Sequence, residues 1–437
     1  MAHFGILSYK GAGHLNPLIA LSRELFDRGH TVTFFLPPDK EDRVCRLGLG
    51  FVPIEITDSN DSVQRSAAGP PLAVVDWITD TRTKLRRITR EMRAFLREYP
   101  TAIRNANVDA LIIGEISFTG PTVAELLDLP YFVVSTSIPH NFGWYAPRSI
   151  RPERHLLEML QQELLQVSIF RMKGPVRVSL DRYRRKIGLG SVNRAKRTYP
   201  ELAHITQWPR CLDDSRNHLP QKFHYAGPFV DDSTRDPVDF PWNRLDQRPI
   251  AYVSLGTTKR ADLSLFAKIA AACVGLDLQV VITLGNRRDP LILGALPGNP
   301  IVVRNAPQLE LLKVATVVIT HAGPNTVLET LMQGKPMLAL PVTLDQPAVA
   351  AHIARLGAAE ILAPSRCSSE KIRVAVIKLL TDPSYSRAAK VLQEQLGLLH
   401  GTFHAAEIIE EQMANWVLGR AHSECAIGPA KPHRPHC

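Results

Sequence analysis

The residues best suited to chemistry lie in a small-residue turn at 321–325, which reads HAGPN. The β-branched run 316–320 precedes the turn, and a helical pattern from Thr326 to Gln333 follows it. Free backbone N–H groups and the positive end of the helix dipole converge at such a helix start. The turn therefore predicts a loop that holds phosphate.

Polar side chains around this turn suit the other parts of a nucleotide sugar. Asn325 and Thr326 add hydrogen-bond donors, and Glu329, about one helical turn further on, suits a ribose hydroxyl. A second apolar run, 336–341, leads to Asp345 and Gln346 at its C-terminal end, where open α/β sheets bind ligands. A carboxylate beside an amide suits sugar hydroxyls, so the segment predicts a nucleotide-sugar site.

A glycine-rich turn, KGAGHLNP from Lys10 to Pro17, presents His14 between the first strand and the first helix. Asn16 stands where G-x-G-x-x-G needs its third glycine, so a dinucleotide site is disfavoured. An imidazole with an unperturbed pKa of about 6.5 takes a proton from a hydroxyl at neutral pH. A lone histidine in a turn is more often structural, so both interpretations stay open on this evidence.

HAGPNTVLE followed by Asp345-Gln346, with Ala306-Pro307-Gln308 upstream, closely resembles the donor-binding signature of the UDP-glycosyltransferase superfamily, glycosyltransferase family 1. The bacterial branch with zeaxanthin glucosyltransferases and macrolide glycosyltransferases is the most similar. The resemblance covers nearly the whole chain. It implies an inverting, metal-independent enzyme that moves a sugar, expected to be glucose from UDP-glucose, to a hydroxyl of an apolar small molecule.

The same resemblance implies roles for individual residues. His14 becomes the general base, and His321 contacts the phosphate nearest the sugar. The implied donor-site residues are Ser254, Gly256, Thr257, Pro307, Gln308, His321, Ala322, Gly323, Asn325, Thr326, Glu329, Asp345 and Gln346. No metal or other cofactor is expected, since helix dipoles and donors neutralise the diphosphate. Asn305 replaces an aromatic residue that stacks on the base in relatives, which leaves the base less determined.

The chain departs from the family at the partner of the histidine. Relatives orient it with an Asp about a hundred residues further on, where this chain has Gly114. The neighbouring carboxylate is Glu115, and Asp109 is expected at the far end of the strand, roughly 20 Å away. We predict that Glu115 orients His14. A surface or capping role for Glu115, with His14 acting alone, is the alternative.

The sequence does not identify the acceptor. Aromatic residues that suit an apolar cleft, although such residues more often belong to a core, are Trp77, Phe118, Phe142, Trp144 and Tyr145. Two alternatives to a transferase share the fold. Gly114 and Asn305 suggest a catalytically weak sugar-nucleotide-binding protein. A nucleotide-sugar epimerase is disfavoured by the Gly-His-x-Asn-Pro turn, and an NAD oxidoreductase lacks its glycine fingerprint.

Composition sets further limits. Six scattered cysteines fit a reduced cytoplasm, and no uninterrupted run of eighteen apolar residues appears. The net charge of +10 is concentrated at 148–197, where thirteen Lys and Arg residues outnumber four acidic residues. Either this segment is a solvated helical face or it contacts an anionic membrane peripherally. Nucleic acid is disfavoured, since no nucleic-acid module is visible.

The elements that must position these residues alternate between strand and helix patterns in two series. We predict an α/β, GT-B fold, with two Rossmann-like doubly wound domains facing a cleft. An acceptor-binding domain is expected at 1–230, a linker at 231–249 and a nucleotide-sugar-binding domain at 250–400. A helix at 401–418 is expected to cross back to the first domain, before a disordered tail at 419–437. The first helix is expected at Pro17–Arg28, capped by Asn16.

Overall fold

The computed structural model describes residues 1–55, 73–139, 176–191, 201–213, 219–256, 263–285, 289–342 and 345–426, without the side chains of 73–87 and 421–426. Two parallel sheets flanked by helices form the protein, which confirms the predicted two-sheet α/β, GT-B architecture.

Seven strands form the first sheet, in the order β3-β2-β1-β4-β5-β6-β7. They are β1 (His3–Leu7), β2 (Thr31–Leu36), β3 (Gly50–Pro53), β4 (Ala110–Gly114), β5 (Tyr131–Ser135), β6 (Glu201–Thr206) and β7 (Phe223–Tyr225). Their helices are α1 (Ala12–Asp27), α2 (Glu41–Cys45), α3 (Ala73–Ala106), α4 (Gly120–Leu127) and α5 (176–186).

The second sheet has six strands, in the order β10-β9-β8-β11-β12-β13. They are β8 (Ile250–Ser254), β9 (Gln279–Thr283), β10 (Ile301–Val303), β11 (Ala315–Thr320), β12 (Met337–Ala339) and β13 (Ala359–Ile361). The helices are α6 (Leu263–Cys273), α7 (Gln308–Val314), α8 (Pro324–Met332), α9 (Gln346–Arg355), α10 (Ser369–Thr381), α11 (Pro383–Gly397) and α12 (Gly401–Ala426).

Each sheet reverses its strand order once, and the reversals place the candidate site. In the first sheet the reversal lies between β1 and β4, and in the second between β8 and β11. Ligands of open α/β sheets bind in the crevice beyond the carboxyl ends of the strands at such a reversal. His14 follows β1, and the turn at 321–325 follows β11.

The central strands are buried on both faces, as expected of parallel strands covered by helices. The last helix, α12, joins the core of the first sheet, because its Ala405, Ala406 and Ile409 are fully buried in the cluster that contains Leu18 of α1 and Ile205 of β6. Helix α12 therefore packs on the first sheet.

The predicted start of the first helix at Pro17 is wrong. The helix begins at Ala12 with Gly11 as N-cap, so His14 lies in its first turn and Pro17 lies inside it. A proline inside a helix has no N–H for the carbonyl four residues earlier, here that of Gly13. The Nδ2 atom of Asn325 donates to that carbonyl. A tertiary contact thus satisfies the carbonyl that local sequence rules leave without a donor.

The predicted end of the last helix is also wrong. The helix α12 continues to Ala426, although disorder was expected from residue 419. Arg420 lies 5.4 Å from the Trp416 ring centroid and donates to Asp128 Oδ2 at 2.9 Å. These contacts extend the helix beyond its predicted end. Residues 427–437 lie outside the described part.

The basic segment 148–197 is only partly described. Four of its basic side chains in the described stretch, Arg177, Arg182, Arg185 and Lys186, are exposed. Arg184 is 1% exposed and pairs with Glu125 Oε2 at 2.5 Å, so this guanidinium cannot face a membrane. A membrane contact stays a prediction. No helix in the described residues is both long enough and apolar enough to cross a bilayer.

Candidate active site

The turn after β11 leads directly into the N-terminus of α8, as the predicted phosphate-binding loop requires. Gly323 is the N-cap of α8, and Pro324 occupies the first helical position, where its missing N–H costs nothing. Ala322 adopts a left-handed conformation with φ of 61°, which is strained for a residue with a Cβ. Its N–H donates to Thr320 Oγ1 at 3.2 Å, which holds the turn in place.

The imidazole of His321 packs between two glycines. A Cβ added at Gly256 would lie 2.7 Å from His321 Nε2, and one at Gly323 would lie 2.5 Å from it. Burial lowers the pKa of His321 to about 4, although a hydrogen bond to the Ser254 carbonyl opposes this shift. His321 is therefore neutral at pH 7, and its environment requires glycine at both neighbouring positions.

Glu329 is the centre of a buried polar network. It is 2% exposed, and its Oε1 accepts from Arg235 Nη2 at 2.6 Å. Its Oε2 accepts from Gln308 Nε2, and the Gln308 Oε1 accepts from Tyr252 OH at 3.2 Å and Ser254 Oγ at 3.4 Å. The structure therefore brings together the predicted Ser254, Gln308 and Glu329. Sequence reasoning missed Arg235 and Tyr252, since neither belongs to a motif.

The remaining predicted donor residues lie along the same sheet edge. Pro307 is the N-cap of α7, and Thr326 is the third residue of α8. Asp345 is the N-cap of α9, and Gln346 Oε1 accepts from the Val342 N–H at 2.9 Å. Thr257 lies outside the described residues.

His14 is half-buried at the edge of the first sheet, and its Nδ1 lies 2.7 Å from Thr136 Oγ1. Thr136 follows β5 directly, and sequence reasoning missed it. The predicted partner Glu115 follows β4, and its Oε2 accepts from Ser135 Oγ at 2.7 Å. Asp109 accepts from the backbone N–H of His3 at 2.7 Å. A hydroxyl thus occupies Nδ1 of His14, where the sequence predicted a carboxylate.

A pair of side-chain amides connects the two halves of the site. The Asn325 Oδ1 accepts from Gln207 Nε2 at 2.6 Å, while the Asn325 Nδ2 donates to the Gly13 carbonyl. Gln207 follows β6 and is 1% exposed. The predicted phosphate-binding loop and the turn that contains His14 are therefore in direct contact.

Most of the candidate acceptor side chains lie outside the described part of the chain. Phe118 lies in the loop between β4 and α4 and is 47% exposed. The Trp77 side chain and all of Phe142, Trp144 and Tyr145 lie outside the described part. Within the described ranges, no group of three His, Cys, Asp or Glu side chains is arranged to hold a metal ion.

Several known proteins are similar to this chain in sequence. A family model described as the C-terminal domain of erythromycin biosynthesis protein CIII-like proteins matches residues 267–400. Over 430 residues the chain is 29% identical to zeaxanthin glucosyltransferase of Pseudescherichia vulneris, covering 95% of this chain and 98% of the relative. The chain is therefore similar over nearly its whole length to glycosyltransferases of this bacterial branch. This glycosyltransferase transfers a sugar from a nucleotide sugar to a small-molecule acceptor.

Solved structures confirm the fold of the glycosyltransferase. The glycotransferase of kitacinnamycin superposes with a TM-score of 0.72 at 24% identity, covering 94% of this chain and 98% of that one. Glycosyltransferase VinC in complex with dTDP superposes with a TM-score of 0.66 at 19% identity, covering 94% and 100%.

Proposed function

We propose that this glycosyltransferase is an inverting, metal-independent enzyme that transfers glucose from UDP-glucose to a hydroxyl of an apolar acceptor, with His14 as general base. Residues 1–230 bind the acceptor in this proposal, and residues 250–400 bind the donor. The observation that supports it is the hydrogen bond from Asn325, in the first turn of α8, to the carbonyl of Gly13, the residue before His14.

In this reaction, a nitrogen of His14 removes the proton of the acceptor hydroxyl as its oxygen attacks the anomeric carbon. The bond from that carbon to the diphosphate breaks on the opposite face, so the configuration inverts. The nucleoside diphosphate leaves with the bonding electron pair. Backbone N–H groups at the start of α8 receive the developing charge, which is why no metal is needed.

The donor assignment has two supports. The zeaxanthin glucosyltransferase relative is named for glucose transfer, and the buried Glu329 network lies at the position proposed for the ribose. VinC holds dTDP, so competition between dTDP-glucose and UDP-glucose tests the choice of uracil over thymine. On the acceptor side, Phe118 presents an exposed ring beside the end of β4.

Replacing His14 by Ala tests the proposal. We expect turnover of UDP-glucose with a hydroxylated apolar acceptor to fall by about 10²- to 10⁴-fold, the usual contribution of a general base. The affinity for UDP, measured by calorimetry, should stay unchanged because the donor is bound by the other half.

Three companion measurements test the rest. The product anomer, read by NMR, should be inverted, dTDP-glucose should compete poorly with UDP-glucose, and EDTA should leave the wild-type rate unchanged. Full activity of the His14→Ala enzyme would remove His14 as the base. Donor binding without turnover on any acceptor would favour a sugar-nucleotide-binding protein.

A further inference from the structure

Thr136 is a buried residue in contact with His14, the proposed base. It is 4% exposed at the end of β5, and its Oγ1 lies 2.7 Å from Nδ1 of His14. A residue that orients the His14 imidazole must hydrogen-bond to this nitrogen, and a carboxylate was predicted there. In this protein a neutral hydroxyl occupies it.

A hydroxyl both donates and accepts, so it is compatible with the tautomer that a general base requires. When Nδ1 carries the proton, it donates to Thr136 Oγ1, and the lone pair of the ring lies on Nε2. Nε2 then receives the proton of the acceptor hydroxyl. After that transfer the imidazolium still donates to Thr136 through Nδ1, so one hydrogen bond supports both states of the base.

The backbone of Thr136 is itself fixed by a buried amide. Its carbonyl accepts from Gln207 Nε2, and the Gln207 Oε1 accepts from the Phe229 N–H at 3.3 Å. The same Nε2 donates to Asn325 Oδ1 at 2.6 Å. The hydroxyl that contacts His14 is therefore connected through one side chain to the loop proposed to hold the phosphates.

We propose that Thr136 is the positioning residue for His14, and that its hydroxyl takes the place of the carboxylate that Glu115 was predicted to supply. The proposal rests on His14 being the general base. Thr136 acts only through His14, so its loss should alter the proton transfer and leave donor binding intact.

The test compares Thr136→Val, which removes the hydroxyl at nearly constant shape, with Thr136→Ser, which keeps it. We expect Thr136→Val to lower kcat by roughly 10- to 100-fold with little change in KM for UDP-glucose. The acid limb of the pH–rate profile should move to lower pH by about one unit, because the hydrogen bond that is lost is stronger for the charged imidazolium than for the neutral ring. Thr136→Ser should recover most of the lost turnover.

The chain offers a matched control. Thr33 is also buried in the first sheet, and its Oγ1 lies 2.7 Å from His3 Nε2. His3 lies at the start of β1, away from the carboxyl end where His14 follows the strand. Thr33→Val therefore removes a threonine–histidine hydrogen bond of the same length and should leave both kcat and the pH profile unchanged.

The outcomes separate the proposals. An inactive His14→Ala enzyme together with an unchanged Thr136→Val enzyme would overturn the role of Thr136 while the proposed function stands. A lower kcat in Thr136→Val without a moved acid limb would mean a structural role and would also overturn it. If Glu115→Gln moves the acid limb and Thr136→Val does not, the carboxylate orients the base. A fully active His14→Ala enzyme would refute the function itself.

Discussion

The folded protein favours the neutral form of the His321 imidazole. Its Nδ1 lies 3.4 Å from the Ser254 carbonyl oxygen and 3.5 Å from Thr320 Oγ1. The carbonyl oxygen can only accept, so it favours the tautomer with the proton on Nδ1. Nε2 lies against the positions where Gly256 and Gly323 lack side chains. The folded protein therefore disfavours the imidazolium, and burial rather than a nearby charge is the main cause.

A pH-dependent stability follows from this pKa. The folded pKa of about 4 lies below the ordinary histidine pKa of about 6.5, so the unfolded chain takes up the proton first as pH falls. Stability from the neutral His321 is complete above about 6.5 and is lost towards pH 4, by up to roughly 3 kcal/mol. Urea unfolding of His321→Gln between pH 7.5 and 4 should show a shallower loss than wild type. His404→Gln, on the exposed surface of α12, should match wild type, and a His321→Gln profile equal to wild type would contradict the expectation.

The helix α12 depends on a close approach at its first residue. A Cβ at Gly401 would overlap the carbonyl oxygens of Gly227 and Pro228, in the segment that leads from β7 into the linker. Gly419 belongs to the same helix, but no atom lies within 4 Å of its Cβ position. The glycine at the start of the helix is therefore required by packing, whereas the later glycine is not.

These two glycines form a matched pair of tests. Gly401→Ala should lower the free energy of unfolding by about 1 to 3 kcal/mol, because the backbone oxygens cannot move aside without shifting the helix. Gly419→Ala should leave stability equal or raise it by up to about 1 kcal/mol, since alanine is the better helix former. Chemical denaturation of both variants measures the difference. Equal stabilities would show that the entry of α12 tolerates a side chain.

Two adjacent linker residues connect the halves of the molecule through opposite charges. Arg235 pairs with Glu329 of α8, whereas Asp236 pairs with Arg43 and Arg46, at or beside α2. Arg43 also donates to Asn16 Oδ1 at 2.7 Å, two residues beyond His14. The linker is thus attached to the donor half on one side and to the helix of the proposed base on the other.

Breaking the first of these pairs tests the attachment. Arg235→Met should lower the free energy of unfolding by about 1 to 3 kcal/mol, because the buried Glu329 side chain would lose its ion-pair partner. Arg97→Met is the control, since its pair with Glu98 is exposed and should contribute nothing measurable. Thermal unfolding of both proteins gives the comparison. A stable Arg235→Met protein would show that Glu329 does not need this partner.

The sequence by itself determined the fold class, and it predicted the location of the site. Parallel strands buried on both faces appear as continuous apolar runs, and the turns at 321–325 and around His14 follow such runs directly. These signals are local: the apolar segment Tyr131–Ser135, for example, is a strand, β5, over its whole length. The roles of His14 and the donor residues came from the family resemblance and stay predictions.

Only the tertiary structure decided which residues of these distant segments contact one another. Pro17 lies inside α1 although local rules place it at the start, and a side chain from α8, that of Asn325, satisfies the freed carbonyl. Thr136 reaches His14 across 122 residues, and Arg235 reaches Glu329 across 94. Neither pair can be predicted from the spacing of residues in the sequence, because hydrogen bonds between distant segments depend on how the strands are ordered in the sheets.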